Sequence, residues 1–309
     1  MADLTHDHDG HSHRAHGHQH GHGNGHGHGG HQHEHDPARE AELAEMLDLD
    51  AELLHQPLTG VTEWLAELTT GQTVQSVLDL GTGTGAGTFA LLERFPDARV
   101  TAVDMSAGML ERVRAKAAAA GLDGRVRTVE ADLDADWPDF GTVDLAWSAA
   151  ALHHVADPQD ALRRLRALLR PGGLFALVEI DGLPSFLPED LGLGEPGLER
   201  RCRAVVAARL AEELPYLGAD WGPILTGAGF EVEPERRFTV ELASPLPDPA
   251  ARYARLVLAR NRERLGDQLG AADLEVLDAL IDGPGPENVL RRSDLLVRAE
   301  RRVWVARRP

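Results

Sequence analysis

The chain has 309 residues, 42% of them hydrophobic, and a formal net charge of −19 at pH 7. That length and hydrophobic content suffice for a folded core without covalent cross-links. The single cysteine, Cys202, excludes an intramolecular disulfide and fits a reducing compartment, and the acidic charge argues against a nucleic acid partner. The chain shows neither an apolar leader nor an apolar stretch long enough to span a membrane, so we expect a cytoplasmic protein without a membrane partner.

Residues 1–36 hold thirteen of the sixteen histidines, interleaved with glycine. With so few apolar residues this segment is predicted to be a disordered tail. Its His-x-His spacing offers neutral imidazoles that can converge on Zn²⁺ or Ni²⁺. The predicted divalent metal ligands are His11, His13, His26, His28, His31, His33 and His35. Two interpretations stay open: a polar tail that binds metal opportunistically, or a tail that stores or senses metal.

The composition changes at Pro37. Residues 37–72 place apolar side chains at helical spacing, interrupted by Pro57, which predicts two N-terminal helices. Strand and helix patterns then alternate, with strands predicted at 76–80, 99–104, 126–132, 142–148 and 174–180. Short apolar strands separated by amphipathic helices predict an α/β fold with a doubly wound, mostly parallel sheet.

The pattern is looser beyond residue 180. It predicts a helix at 199–213, a strand at 230–242, helices at 248–264 and 271–282, and a final strand at 301–308. The last two strands are expected to pair antiparallel, which gives a seven-stranded sheet. The resulting prediction is one α/β domain over residues 73–309, with helices inserted at about 248–283.

A glycine ladder lies where the first strand turns into a helix. The segment VLDLGTGTG contains Gly81, Gly83 and Gly85, where absent Cβ atoms allow a tight turn and close approach of a ligand. Asp104 ends the second strand, where a carboxylate can accept hydrogen bonds from ribose hydroxyls. These two features alone fit NAD as well as S-adenosylmethionine.

Five segments in order resemble the class I, Rossmann-like S-adenosylmethionine-dependent methyltransferases. They are VLDLGTGTG, VDMSAGML, EADLDADW, DLAWSAAALHHVADP and LRPGG, and the resemblance covers roughly residues 74–180. The segment LRPGG and the Asp132-Leu133 pair are not expected in a dehydrogenase, which disfavours NAD. The resemblance therefore implies a Rossmann-like enzyme that transfers a methyl group from S-adenosylmethionine to a small-molecule acceptor.

The resemblance also implies roles for individual residues. Gly81 and Gly83 with the neighbouring backbone would hold the methionine part of the cofactor, Asp104 the ribose and Met105 the adenine face. Asp132 with Leu133 would meet the adenine edge, and Ser148 would lie near the amino acid end. The full set of predicted cofactor-binding residues is Asp79, Gly81, Gly83, Gly85, Asp104, Met105, Asp132, Leu133 and Ser148.

Methyl transfer from a sulfonium needs alignment and exclusion of water, and no metal. An acceptor that must lose a proton also needs a base, and His153 and His154, after the fourth strand, are the predicted catalytic residues. Glu179 and Asp181, at the end of the fifth strand, are alternative carboxylates. A second functional hypothesis is a metal-buffering or metal-responsive protein that uses the histidine tail and binds S-adenosylmethionine only as a regulatory ligand.

Overall fold

The structure is a computed structural model, and it describes residues 37–266 and 268–309. The histidine tail predicted at residues 1–36 lies outside the described residues. Nine α-helices occur in the described part of the chain. They are α1 (Pro37–Leu53), α2 (His55–Leu68), α3 (Ala86–Arg94), α4 (Ala107–Ala119), α5 (Pro158–Leu168), α6 (Leu198–Glu213), α7 (Trp221–Gly227), α8 (Pro249–Leu265) and α9 (Ala271–Asp282).

Eight strands form one sheet. They are β1 (Ser76–Leu80), β2 (Arg99–Asp104), β3 (Val126–Glu130), β4 (Val143–Ala149), β5 (Leu169–Ile180), β6 (Glu231–Val232), β7 (Arg236–Leu242) and β8 (Val297–Arg307). The order is β3-β2-β1-β4-β5-β8-β6, with β7 also paired to β8. Strands β1 to β5 are parallel, and β8 is antiparallel to β5, β6 and β7. The predicted doubly wound, mostly parallel sheet with an antiparallel last strand is confirmed.

The strand predicted at 230–242 is divided in two. Val232 pairs with Ala306, whereas Arg236 pairs with Val303, so the β6–β7 side carries one residue more than β8 across the break. Pro234 lies in this bulge, and its missing N–H cannot join a sheet ladder. The sheet therefore has eight strand segments instead of the predicted seven, and β8 starts at Val297 instead of residue 301.

The N-terminal helices meet at a different residue from the one predicted. Helix α1 ends at Leu53 and α2 begins at His55, so Pro57 lies in the first turn of α2. A proline is tolerated there because the first N–H groups of a helix have no partner within the helix. The interruption therefore precedes the proline by three residues.

The apolar core has three clusters. Two cover the faces of the sheet and include Leu78, Phe175 and Trp221 in one and Val77, Trp147 and Leu174 in the other. The third is built mainly from α6, α8, α9 and the segments that join them. No helix in the described part of the chain is long and apolar enough to cross a membrane.

Candidate active site

The glycine loop after β1 has a backbone that only glycine adopts readily. Gly81, Gly83 and Gly85 have φ angles of 69°, 52° and 92°. A Cβ on Gly81 would lie 2.2 Å from the Cβ of Ala151, and a Cβ on Gly83 would lie 3.2 Å from Leu47. Glycine is therefore required in this loop for two reasons: the left-handed backbone, and the protein atoms packed where a Cβ would lie.

Two of the predicted cofactor residues lie beneath this loop. Asp79 is buried, and its Oδ2 accepts hydrogen bonds from the hydroxyls of Thr82 (2.8 Å) and Thr88 (2.6 Å). Burial raises the pKa of Asp79 to about 6, against the lowering effect of those hydroxyls. Ser148 is also buried, and its hydroxyl donates to the carbonyl of Leu80 at 3.0 Å. Both side chains are therefore hydrogen-bonded within the protein, where they stabilise the loop and the end of the sheet.

Asp104 and Met105 lie beside the loop, at the carboxyl end of β2. Asp104 Oδ2 accepts the N–H of Gly83 at 2.8 Å, and its Oδ1 accepts the N–H of Ser106 at 2.9 Å. A carboxylate has lone pairs for further donors, such as ribose hydroxyls. The adjoining Met105 is 68% exposed, which is unusual for so apolar a side chain. A half-buried carboxylate beside an exposed apolar side chain fits a nucleoside.

The segment after β3 lies next to Asp104. The N–H of Ala131 donates to the Asp104 carbonyl at 3.0 Å, which brings the following Asp132 and Leu133 to the same edge of the sheet. Asp132 is exposed and accepts the N–H of Asp134, and Leu133 is half-buried. The structure thus brings together the residues predicted for ribose and adenine.

Helix α1 packs over the glycine loop. Lys116 of α4 donates to Asp48 of α1 (2.6 Å) and to the carbonyl of Thr84 in the loop (2.9 Å), and so ties three elements together. Ser106, the N-cap of α4, also hydrogen-bonds Glu40 of α1. Because Leu47 touches the space above Gly83, α1 forms a wall of the site. The sequence predicts this helix but not its position.

The predicted catalytic histidines follow β4 in a short 3₁₀ turn. His153 is buried, and its Nδ1 lies 2.6 Å from Oε2 of Glu179 at the end of β5. The other oxygen, Oε1, is buried without a hydrogen-bond partner among the described residues. Asp181, the other carboxylate considered, pairs instead with Arg237 of β7 at 3.0 Å. The structure therefore joins Glu179, and not Asp181, to the histidines.

His154 differs from His153 in its environment. Its ring lies 4.3 Å from that of His153 between centroids, tilted by 40°, and the residue is exposed. Desolvation by the surrounding protein, and then the charges of His153, Arg260 and Arg264, lower the pKa of His154 to about 4. His154 is therefore neutral at pH 7 and a weak base. Both arginines come from α8, which the sequence analysis did not connect with the site.

A partly buried polar cluster fixes α8 against α1 and the sheet. Asp50 of α1 accepts hydrogen bonds from the Tyr253 hydroxyl of α8 (2.5 Å) and from Arg301 of β8 (2.9 Å). Arg301 pairs with Ile180 across the sheet, so the cluster lies at the carboxyl end of β5. Burial and then Asp50 raise the pKa of Tyr253 well above its ordinary value. Nothing in the sequence shows that three such distant residues meet.

The described residues contain no group of three or more His, Cys, Asp or Glu side chains that could hold a metal ion. The predicted tail ligands, His11 to His35, lie outside the described residues. Their metal binding stays a prediction.

Comparison with known proteins agrees with this geometry. Residues 77–173 match the methyltransferase domain family. Trans-aconitate 2-methyltransferase of Paracidovorax citrulli is 41% identical over 102 residues, 33% of this chain and 37% of that protein. The enzyme of the same name from Enterobacter sp. (strain 638) is 35% identical over 162 residues, 52% of this chain and 58% of that protein. The 27-O-demethylrifamycin SV methyltransferase of Amycolatopsis mediterranei is 30% identical over 139 residues, 45% of this chain and 50% of that protein.

The fold has a counterpart among solved structures. A candidate methyltransferase from Bacillus halodurans C-125 superposes with a TM-score of 0.50 at 20% identity, covering 80% of this chain and 98% of that one. The family match and the fold confirm the predicted resemblance to the class I, Rossmann-like methyltransferases. The matched methyltransferase domain is residues 77–173. The chain matches between 37% and 58% of the length of the curated relatives described above.

Proposed function

We propose that this protein transfers a methyl group from S-adenosylmethionine to a small-molecule acceptor. The observation that carries the proposal is the hydrogen bond from the Gly83 N–H to Asp104, which joins the two halves of the nucleoside motif at one edge of the sheet. The names of the relatives, trans-aconitate 2-methyltransferase and a rifamycin methyltransferase, support a small-molecule acceptor. No comparison supports the alternative of a metal-buffering protein.

The cofactor is expected to lie across the carboxyl ends of β1, β2 and β3. The loop from Gly81 to Gly85 would border its methionine part, Asp104 would accept the ribose hydroxyls, and Met105 would cover the adenine face. Asp132 and Leu133 would border the adenine edge. When bound, S-adenosylmethionine supplies an activated methyl group on a sulfonium, and the leaving group is neutral.

His153 is our proposed general base for an acceptor that must lose a proton. Glu179 accepts a hydrogen bond from its Nδ1 when that nitrogen carries the proton, which fixes the ring and stabilises the protonated imidazole. His154 is proposed to line the acceptor side of the site, because a pKa of about 4 makes it a poor proton acceptor. The protein's further contribution is to exclude water and align the acceptor with the methyl group.

Substitution of Asp104 tests the proposal. We expect Asp104→Asn to weaken binding of S-adenosylhomocysteine about tenfold to a hundredfold, because it removes charge-assisted hydrogen bonds to the ribose. Isothermal titration of the full chain measures this affinity. Asp97→Asn is the matched control, since Asp97 is exposed just before the opposite end of β2. Equal affinities of the wild type and Asp104→Asn would contradict the site, and no binding to the wild type would contradict the function.

A further inference from the structure

Helix α8 carries two arginines, Arg260 and Arg264, that form no ion pair with a carboxylate of the described residues. Three others on the helix form ion pairs: Arg252 with Glu45, Arg255 with Asp282 and Arg262 with Asp278. Arg260 and Arg264, by contrast, make no side-chain hydrogen bond and no ion pair with any residue that the structure describes. Both side chains are half-buried, and burial and then the charge of Arg264 lower the pKa of Arg260.

The two arginines share one face of α8. Residues four apart lie one above the other on a helix, so the two guanidinium groups can converge on a single ligand. Glu42 and Glu263 are near enough to favour the charged form of Arg260, yet neither lies within ion-pair distance of it. The pair is therefore a local concentration of positive charge on a chain whose net charge is −19.

Helix α8 packs on α1, the helix that covers the glycine loop, through the ion pair of Arg252 with Glu45. The charges of Arg260 and Arg264 also help to lower the pKa of His154, which follows β4 at the carboxyl edge of the sheet. The other end of α8 is fixed by the Tyr253 hydroxyl to Asp50, at the carboxyl end of β5. Seven residues of helix, about 10 Å, separate Tyr253 from Arg260.

We propose that Arg260 and Arg264 bind an anionic group, a carboxylate or a phosphate, of the methyl acceptor. The inference rests on the proposed function and narrows its substrate to small organic acids. Guanidinium groups present paired N–H donors that match both anions. A bound anion would also neutralise the mutual repulsion of the two arginines beside His154. The acceptor would thus be held from α8 while its reacting atom faces His153 and the methyl group.

The test measures binding to the full chain saturated with S-adenosylhomocysteine. The probes are trans-aconitate with its uncharged trimethyl ester, and phenyl phosphate with phenol. We expect one of the anions to bind with a Kd of about 10 mM or tighter and at least about tenfold more tightly than its neutral partner. Which anion binds distinguishes a carboxylate site from a phosphate site.

Three variants assign the binding to residues. Arg260→Gln and Arg264→Gln should each weaken binding of the anion about tenfold or more, the loss expected for a charge-assisted hydrogen bond. Arg262→Gln is the matched control, since it removes the same charge from the same helix at the residue that pairs with Asp278. Affinity for S-adenosylhomocysteine should not change in any variant.

Three results would overturn the proposal: failure of both anions to bind, equal affinity for an anion and its neutral partner, or an equal loss in Arg262→Gln. Failure of the wild type to bind S-adenosylhomocysteine would instead overturn the proposed function. The two failures are therefore distinguishable.

Discussion

Gly81 lies where the chain can accommodate no side chain. Its φ of 69° is strained for any other residue, and the Cβ of Ala151 occupies the space where its own would lie. The neighbouring Ala150 is itself left-handed, with a φ of 51°, just before the turn that carries His153. Such a conformation in a residue other than glycine is typical of functional sites. The glycine loop and the histidine turn therefore touch through this pair of residues.

Substitution of Gly81 separates the two reasons for glycine. Gly81→Ala should lower the free energy of unfolding by about 1–2 kcal/mol for the left-handed backbone, and by about 1–3 kcal/mol more for overpacking. Gly121→Ala is the control for backbone alone, since Gly121 has a φ of 68° and open space around its Cβ position. Chemical denaturation measures both.

A second substitution tests the contact itself. Ala151→Gly, introduced into Gly81→Ala, should restore most of the unfolding free energy that overpacking removes. It should also restore most of the affinity for S-adenosylhomocysteine. If Gly81→Ala costs no more stability than Gly121→Ala, the contact with Ala151 has no energetic importance.

Glu179 should matter for turnover more than for cofactor affinity. With an acceptor identified by screening, we expect Glu179→Gln to lower kcat at least about tenfold, because the neutral amide stabilises the protonated His153 less than a carboxylate does. The KM for S-adenosylmethionine should stay unchanged. Asp181→Asn is the control, since Asp181 pairs with Arg237 instead. A similar loss of kcat in both variants would contradict the role of Glu179.

At the scale of elements, α1 joins the site although it precedes the matched domain. It contacts the glycine loop through Leu47, α4 through Asp48 and Glu40, and α8 through Asp50. The ion pair between Asp48 and Lys116 is partly exposed, so on its own it contributes little to stability. The position of α1 therefore depends on several contacts, of which the loop is one.

Cofactor binding should slow amide exchange in α1. Because α1 packs on the loop that would border the cofactor, we expect S-adenosylhomocysteine to increase protection of residues 44–50. Helix α9, at residues 271–282, is the internal control. Hydrogen exchange with mass spectrometry measures both segments. Protection of residues 81–85 without any change in α1 would contradict a role for α1 in the cofactor site.

Sequence patterns located most elements because local periodicity and turn residues determine them. The strands β1 and β2 are predicted residue for residue. The start of α5 is likewise set locally, because Asp157 caps the helix and Pro158 is its first residue. The division into β6 and β7 was missed because a bulge depends on the partner strand. The short α7 was missed as well, since seven residues give little periodicity.

The residues of the site likewise fall into those that sequence patterns predict and those that they do not. The glycine loop and Asp104 are predictable because one βαβ unit holds them at fixed spacing. Arg260 and Arg264 have a visible helical spacing, but only tertiary packing shows which face of α8 meets the site. The cluster joins Asp50 to Tyr253 and Arg301, which lie 203 and 251 positions further along the chain, a distance that no local pattern spans.

At the scale of the whole molecule, buried carboxyls make stability depend on pH. Burial raises the pKa of Asp79 to about 6 from an ordinary value of 3.8, so the folded protein holds this proton over a pH range in which the unfolded chain has lost it. The contribution of Asp79 to stability is therefore largest below pH 4 and is lost as the pH rises towards 6. Glu199, whose pKa burial raises to about 7, acts in the same direction.

The variant Asp79→Asn isolates one of these groups. Between pH 5 and pH 7 the wild type should lose about 1 kcal/mol of unfolding free energy more than Asp79→Asn does. Urea denaturation of both proteins across this range measures the difference, and the contribution of Glu199 cancels because both proteins contain it. Parallel pH profiles would show that Asp79 does not titrate in this range.

The residues proposed to bind the cofactor and the arginines proposed to bind the acceptor lie in separate stretches of the chain. The residues proposed for the cofactor lie between Gly81 and Leu133, next to α1, whereas the arginines proposed for the acceptor lie on α8, inserted between β7 and β8. Exchange of the stretch from residue 243 to 296 with that of a relative would thus replace the arginines proposed for the acceptor and leave the nucleoside side and the histidine turn in place. New acceptor preferences could arise by diversification of this insertion alone, provided that Tyr253 keeps its partner Asp50.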